Sequence, residues 1–170
     1  MGEFEVPSGP SRYGDHKDPA RFAITYAAKL PMAGLAEARG LATNRSLSSL
    51  VLRAEYSKGY FFSGFSGAEP LRILPFTELV PLMLGIVNAI RVDEHGYHVT
   101  QALASAVWGK WPEIDGISYA SRMYPTSICY AIFDRAIPRR GLIVTSSTPI
   151  LEDPSIQTAL LQKKIIQENK

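Results

Sequence analysis

Along residues 21–28, RFAITYAA, Phe22, Ile24 and Tyr26 alternate with Ala23 and Thr25, the two-residue period of a strand. Pro31 then suits a first helical turn, where its missing N–H costs nothing. The pattern predicts a helix from about Met32 to Arg39, stopped by Gly40. SLSSLVLRAEYS, residues 46–57, is rich enough in β-branched and apolar positions for a strand, with a helix the close alternative. YFFSGFSGAEP, residues 60–70, reads as an aromatic, glycine-rich loop whose rings cap the core or a site. Residues 71–90 are strongly apolar but broken by Pro75 and Pro81, which predicts a short strand and then a helix from about Pro81. A helix is expected from about Val99 to Trp108. DGISYASR (115–122) reads as a tight turn into a strand, and SICYAIFD (127–134) as another strand. In the tail, Asp153 suits an N-cap and Pro154 the first helical position. Ile156, Leu160 and Ile165 fall nearly on one face, so an amphipathic C-terminal helix is expected over 154–170. Short strands mixed with helices make the fold class α+β.

The length, 170 residues, suits one compact domain over 1–170. Eighteen basic residues face sixteen acidic ones, for a net charge of +2. No basic stripe marks a nucleic-acid face, so any phosphate recognition falls to individually placed arginines. Cys129 is the single cysteine. It allows no internal disulfide, favours a reducing compartment, and sits in an apolar strand pattern that reads as buried and inert. No apolar run approaches the roughly 20 residues that span a bilayer. The opening MGEFEVPSGPS lacks the basic and apolar blocks of a signal peptide, and residues 1–10 are expected to be flexible or cloning-derived. These features place the site of action in the cytoplasm, reached from within or by signal-free delivery into a target cell.

Few residues stand out for chemistry. Arg12 and Tyr13 sit near Asp15, His16 and Asp18, a pattern that also fits a polar surface loop. An arginine there can grip a phosphate bidentately, and a tyrosine can stack on a base or nicotinamide ring. Tyr26, by composition, reads as core. Glu37 closes the small apolar run MAGLA, as a surface glutamate or a carboxylate with one buried neighbouring face. Ser118 and Ser121 flank Tyr119 in the DGISYASR block, and the usual outcome of such a pattern is serines facing solvent. His16, His95 and His98 share no metal-ligand spacing with cysteine or carboxylates, so no metal is expected. GxSxG, Walker A and GxGxxG motifs do not occur, and GFSG at 64–67 is only a fragment of the first.

Five blocks in order carry a resemblance. They are S-R-Y-x-D from Ser11, R-F-x-x-x-Y-A-A from Arg21, a helix ending A-E at Glu37, D-G-I-x-Y-x-S-R from Asp115, and A-I-F-D-R ending at Arg135. The order resembles the RES-domain family, named for an arginine, a glutamate and a serine. The likeness runs from Ser11 to about Arg135, and residues 41–96 match only in general character. It implies that Arg12, Glu37 and Ser121 are the catalytic trio, and that Arg12, Tyr13, Tyr26 and Arg122 contact NAD. One departure is Gly14, which stands where many members carry asparagine. The resemblance also implies a fold similar to the ADP-ribosylating toxins, with a mixed or antiparallel sheet core and surrounding helices. The implied function is that of a toxin or effector domain that cleaves the nicotinamide–ribose bond of NAD as a glycohydrolase or phosphorylase. An ADP-ribosyltransferase with a protein target is the alternative. A further alternative is a non-catalytic binding module presenting YFFSGF to a partner. NAD is then the substrate, and a cognate antitoxin or immunity protein the implied inhibitor. Neither nucleic acid nor membrane is a partner, and oligomeric state is left open.

That chemistry explains a lone carboxylate. Nicotinamide leaves the ribose as a neutral molecule, so no general acid is required. Positive charge develops on the sugar, and one well-placed carboxylate stabilises it.

Overall fold

The computed structural model describes residues 21–38, 41–44, 49–53, 60–76, 97–121, 126–162 and 165–167. In chain order the elements are β1 (Ile24–Ala28), α1 (Pro31–Glu37), β2 (Leu41–Asn44), β3 (Ser49–Leu52), β4 (Phe61–Ser66), β5 (Ile73–Pro75), α2 (Tyr97–Lys110), β6 (Gly116–Ala120), β7 (Ile128–Phe133), α3 (Ala136–Arg140), β8 (Ile143–Pro149), a 3₁₀ turn (Ile150–Glu152), α4 (Pro154–Leu161) and β9 (Ile165–Gln167). The class is α+β, as expected. The expected Gly40 helix stop and the helix from Pro81 lie outside the described residues. The chain divides into two compact units, Met1–Ala27 with Ser66–Ala120 and Cys129–Ile143, and Ala28–Phe65 with Ser121–Ile128 and Val144–Lys170.

The first unit carries a sheet of order β1-β7-β6-β5. Hydrogen bonds from Phe133 N to Asp115 O (2.8 Å) and from Ser121 N to Ser127 O (3.0 Å) make β6 and β7 antiparallel. Those from Asp134 N to Ala23 O and from Lys29 N to Ile128 O, both 3.0 Å, do the same for β1 and β7. β5 runs parallel to β6, with Ile73 opposite Gly116, so the sheet is mixed. In β6, Gly116 through Tyr119 are all buried, as befits a central strand covered on both faces. Gly116 is required there by space. A Cβ would lie 2.5 Å from Ala131 O and 3.0 Å from Ile132 Cα on β7, and backbone cannot retreat.

Asp115, just before β6, has no solvent exposure. Its carboxylate accepts from Arg72 N (2.7 Å), from Arg140 Nε (2.8 Å) and from Arg139. Arg140 reaches on to Glu69 at 2.6 Å. Burial alone pushes the Asp115 carboxyl up. The hydrogen bonds from Arg139, the Arg72 N–H and Arg140 outweigh it and hold the group below its usual 3.8. Both arginines come from α3, which ends in a Schellman turn. Leu142 N bonds Ile137 O (2.9 Å), Gly141 N bonds Pro138 O (3.3 Å), and Gly141 takes a left-handed φ of +57°.

Arg135 serves the end of α2. Its guanidinium donates to Trp108 O (2.6 Å), Trp111 O (2.8 Å) and Ile114 O (2.7 Å). These include carbonyls that a helix C-terminus leaves without intrahelical donors. The same group lies 5.4 Å from the Trp108 ring centre, and Phe22 stacks on Trp108 at 5.4 Å and meets Phe133 edge-on at 5.6 Å.

The second unit holds a sheet of order β2-β3-β9. β2 is antiparallel to β3, with Leu41 opposite Leu52, and β9 is parallel to β3, with Leu50 opposite Ile165. Its core gathers Leu35 and Ala36 of α1, Leu52 of β3, Ile150 of the 3₁₀ turn, and Ile156 and Ala159 of α4. Asp153 caps α4, accepting from Ser155 N (2.9 Å) and Ile156 N (3.3 Å), and Pro154 opens it.

Three sequence expectations need correction. The 60–70 stretch is no loop, because Phe61–Ser66 form β4 in a two-stranded sheet with β8. Aromatic residues favour pleated surfaces, and Gly64 belongs to the pairing itself, since its Cβ would meet Ser146 Oγ at 2.5 Å. The tail is not helical over 154–170. α4 ends at Leu161, and Ile165 lies on β9. The adjacent β-branched pair Ile165–Ile166 suits a strand beside β3 better than a helix face. Asp115-Gly116 is not the turn either, which lies earlier, at Pro112–Glu113.

Replacing Asp115 with Asn removes the carboxylate that buried Arg140 and exposed Arg139 share. The expected loss is about 3 kcal/mol in chemical denaturation at neutral pH. The carboxyl titrates low in the folded state, so its contribution is complete above the ordinary value of 3.8 and fades as pH falls through the lowered one. The gap between wild type and Asp115→Asn should therefore narrow on acidification below 3.8. A gap that widens there contradicts the assignment.

Candidate functional site

α1 is short because its sequence gives it little beyond packing. Leu30 precedes it in an extended conformation and supplies no side-chain cap, Pro31 occupies the first turn, and Ala33, Leu35 and Ala36 are buried. Glu37 is its last residue, with no basic residue in that turn. A carboxylate at a helix C-terminus opposes the helix dipole, at a cost of about 0.3–1 kcal/mol. Helix stability therefore does not account for a glutamate at this position.

A hydroxyl does attend it. Ser121 Oγ donates to Glu37 Oε1 at 2.9 Å, across 84 positions of sequence. Ser121 is 2% exposed and follows directly on β6. Its N–H is fixed by Ser127 O, so the backbone of the hairpin sets where the hydroxyl stands. Glu37 itself is half-buried. An O–H donated to a carboxylate is among the stronger hydrogen bonds of a protein, and it orients the acceptor oxygen. The arrangement presents one anchored carboxylate able to face a developing positive charge or to accept from substrate hydroxyls.

Two of the three residues singled out as catalytic, Glu37 and Ser121, are thus brought together. Arg12, Tyr13 and Arg122 lie outside the described residues. Tyr26, expected in the core by composition, is 36% exposed on β1. Only Ile24, two residues earlier on the same strand, is buried there. Ser118 and Ser121, expected on a solvent face, are both buried, because β6 is a central strand. Ser127 escaped notice in the sequence, where nothing distinguishes it from any serine near a turn. In the structure it lies directly opposite Ser121 and is 3% exposed.

Among the described residues, no three His, Cys, Asp or Glu side chains converge as metal ligands, and no helix is long and apolar enough to cross a membrane. A family model for the RES domain matches residues 2–154, wider at both ends than the motif blocks alone. No curated protein and no solved structure matches the chain.

If the Ser121–Glu37 contact orients the carboxylate, the two residues are energetically coupled. A double-mutant cycle with Ser121→Ala and Glu37→Ala, followed by chemical denaturation, should give a coupling of about 1.5 kcal/mol. Simple additivity would show that the bond carries no energy.

Proposed function

This chain belongs to the RES-domain family, and we propose that it cleaves the nicotinamide–ribose bond of NAD as a toxin or effector domain. The family is associated with NAD-related toxin and effector function. The observation that carries the reading is the hydrogen bond between Ser121 and Glu37, two residues that the resemblance assigns to the family's signature trio.

In this reading Glu37 faces the nicotinamide ribose. As the glycosidic bond lengthens, electrons leave with nicotinamide, which departs neutral, and the sugar gains oxocarbenium character. Glu37 offers a fixed negative charge to that state and accepts from the ribose hydroxyls. Ser121 holds the carboxylate in place, so little reorganisation accompanies charge development. Partial burial keeps the charge poorly screened. Arg12 grips the pyrophosphate through its planar fork, with Arg122 as a second phosphate contact, and Tyr13 and Tyr26 stack about the nicotinamide end. The ribose cation is then captured by water or by phosphate. NAD enters as substrate, no metal takes part, and the work is done in the cytoplasm of the affected cell. An activity of this kind calls for an antitoxin or immunity protein that covers the site.

The test is incubation of the purified protein with NAD, with and without phosphate, and mass analysis of the products. Nicotinamide with ADP-ribose, or with its phosphate, is expected. Glu37→Gln should slow release by about 10²–10³-fold, and Arg12→Ala should raise KM more than it lowers kcat. Folded variants of both residues that turn over like wild type would sink the reading. Labelled protein without free ADP-ribose would move it to transfer onto a protein.

A further inference from the structure

Ser127 carries a buried hydroxyl that has no hydrogen-bond partner among the described residues. Among the described residues only its Oγ and Trp108 Nε1 are buried side-chain polar atoms with no hydrogen bond. Buried hydroxyls are nearly always satisfied, and one that is not needs a reason. Its position supplies one. Phe133 N bonds Asp115 O and Ser121 N bonds Ser127 O, so the antiparallel register sets Ser127 directly opposite Ser121. Residues directly opposite in such a ladder project from the same face, with Cβ atoms about 5 Å apart. Ser127 therefore lies on the face from which Ser121 reaches Glu37. Ser121 donates its proton to that carboxylate, and the Ser127 hydroxyl, on the same face, has no hydrogen-bond partner among the described residues.

We infer that Ser127 is a substrate-contacting residue of the Glu37–Ser121 site, its hydroxyl completing its hydrogen bonding with a neutral polar group on the nicotinamide–ribose end of the ligand. The inference rests on the NAD reading above. A hydrogen bond from the ligand to this hydroxyl would favour the complex over the free protein. It also sets a preference, because a ligand lacking the polar group leaves the hydroxyl buried and unmet.

The test uses the full chain with Ser127→Ala, and with Ser127→Cys as a second variant of nearly the same volume. Ligand-free thermal unfolding should be unchanged or slightly raised, since no intramolecular bond is lost. KM for NAD should rise about tenfold, the worth of one hydrogen bond, with kcat changed far less. A purely structural serine would behave in the opposite way, lowering the unfolding temperature and leaving KM alone, and that result overturns the inference. If wild type releases nicotinamide and both variants keep its KM, the inference fails and the NAD reading stands. If wild type releases none, the reading fails and takes the inference with it.

Discussion

A carboxylate sealed from water must be surrounded by donors or it will not stay charged, and Asp115 gathers three of them at the start of β6. Arg139, Arg140 and the Arg72 N–H converge on it. The ties join two other segments to the same strand. α3 contributes the arginines, and the backbone leading into β5 contributes the amide. The Asp115 carbonyl also takes the Phe133 amide, so the residue that anchors the cluster also fixes the register of β7 against β6. Register propagates in steps of two residues, and a slip of one would turn every side chain to the other face.

The block A-I-F-D-R can be understood in the same light. Asp134 accepts from the Ala23 and Arg135 amides, and Arg135 collects the carbonyls at the end of α2. These are structural duties. A motif read only for chemistry would have counted Arg135 among possible phosphate ligands, whereas its guanidinium is committed to backbone oxygens. Glu37 presents the contrary case. It sits where the helix dipole disfavours it, and a hydrogen bond reaches it from a residue 84 positions away.

Much of the local structure was legible. The alternation in RFAITYAA, the proline opening α1, the strand in SICYAIFD and the Asp153-Pro154 start of α4 rest on short-range rules of backbone fit, and the structure follows them. What was missed depends on partners distant in sequence. Gly64 reads as a loop residue until β8 is laid against it. Ile165 reads as a helix face until β3 offers it an edge. Ser118 and Ser121 read as solvent-facing until β6 proves to be central. That Glu37 and Ser121 belong to one trio followed from family resemblance, since no local pattern encodes a contact over that span. Ser127 was invisible to both approaches, because a missing hydrogen bond is a property of the packed state alone.

The small parallel pairing of β9 with β3 has a consequence for where this domain stops. The family match closes at residue 154, yet Ile156 and Ala159 are part of the second unit's core, and Ile165–Gln167 run beside β3. A boundary drawn by likeness and one drawn by burial therefore disagree by more than a dozen residues. Anyone cutting the gene at the edge of similarity would strip α4 from the core and bare one side of β3 to neighbouring molecules. The tail lies beyond the edge of the likeness and within the architecture.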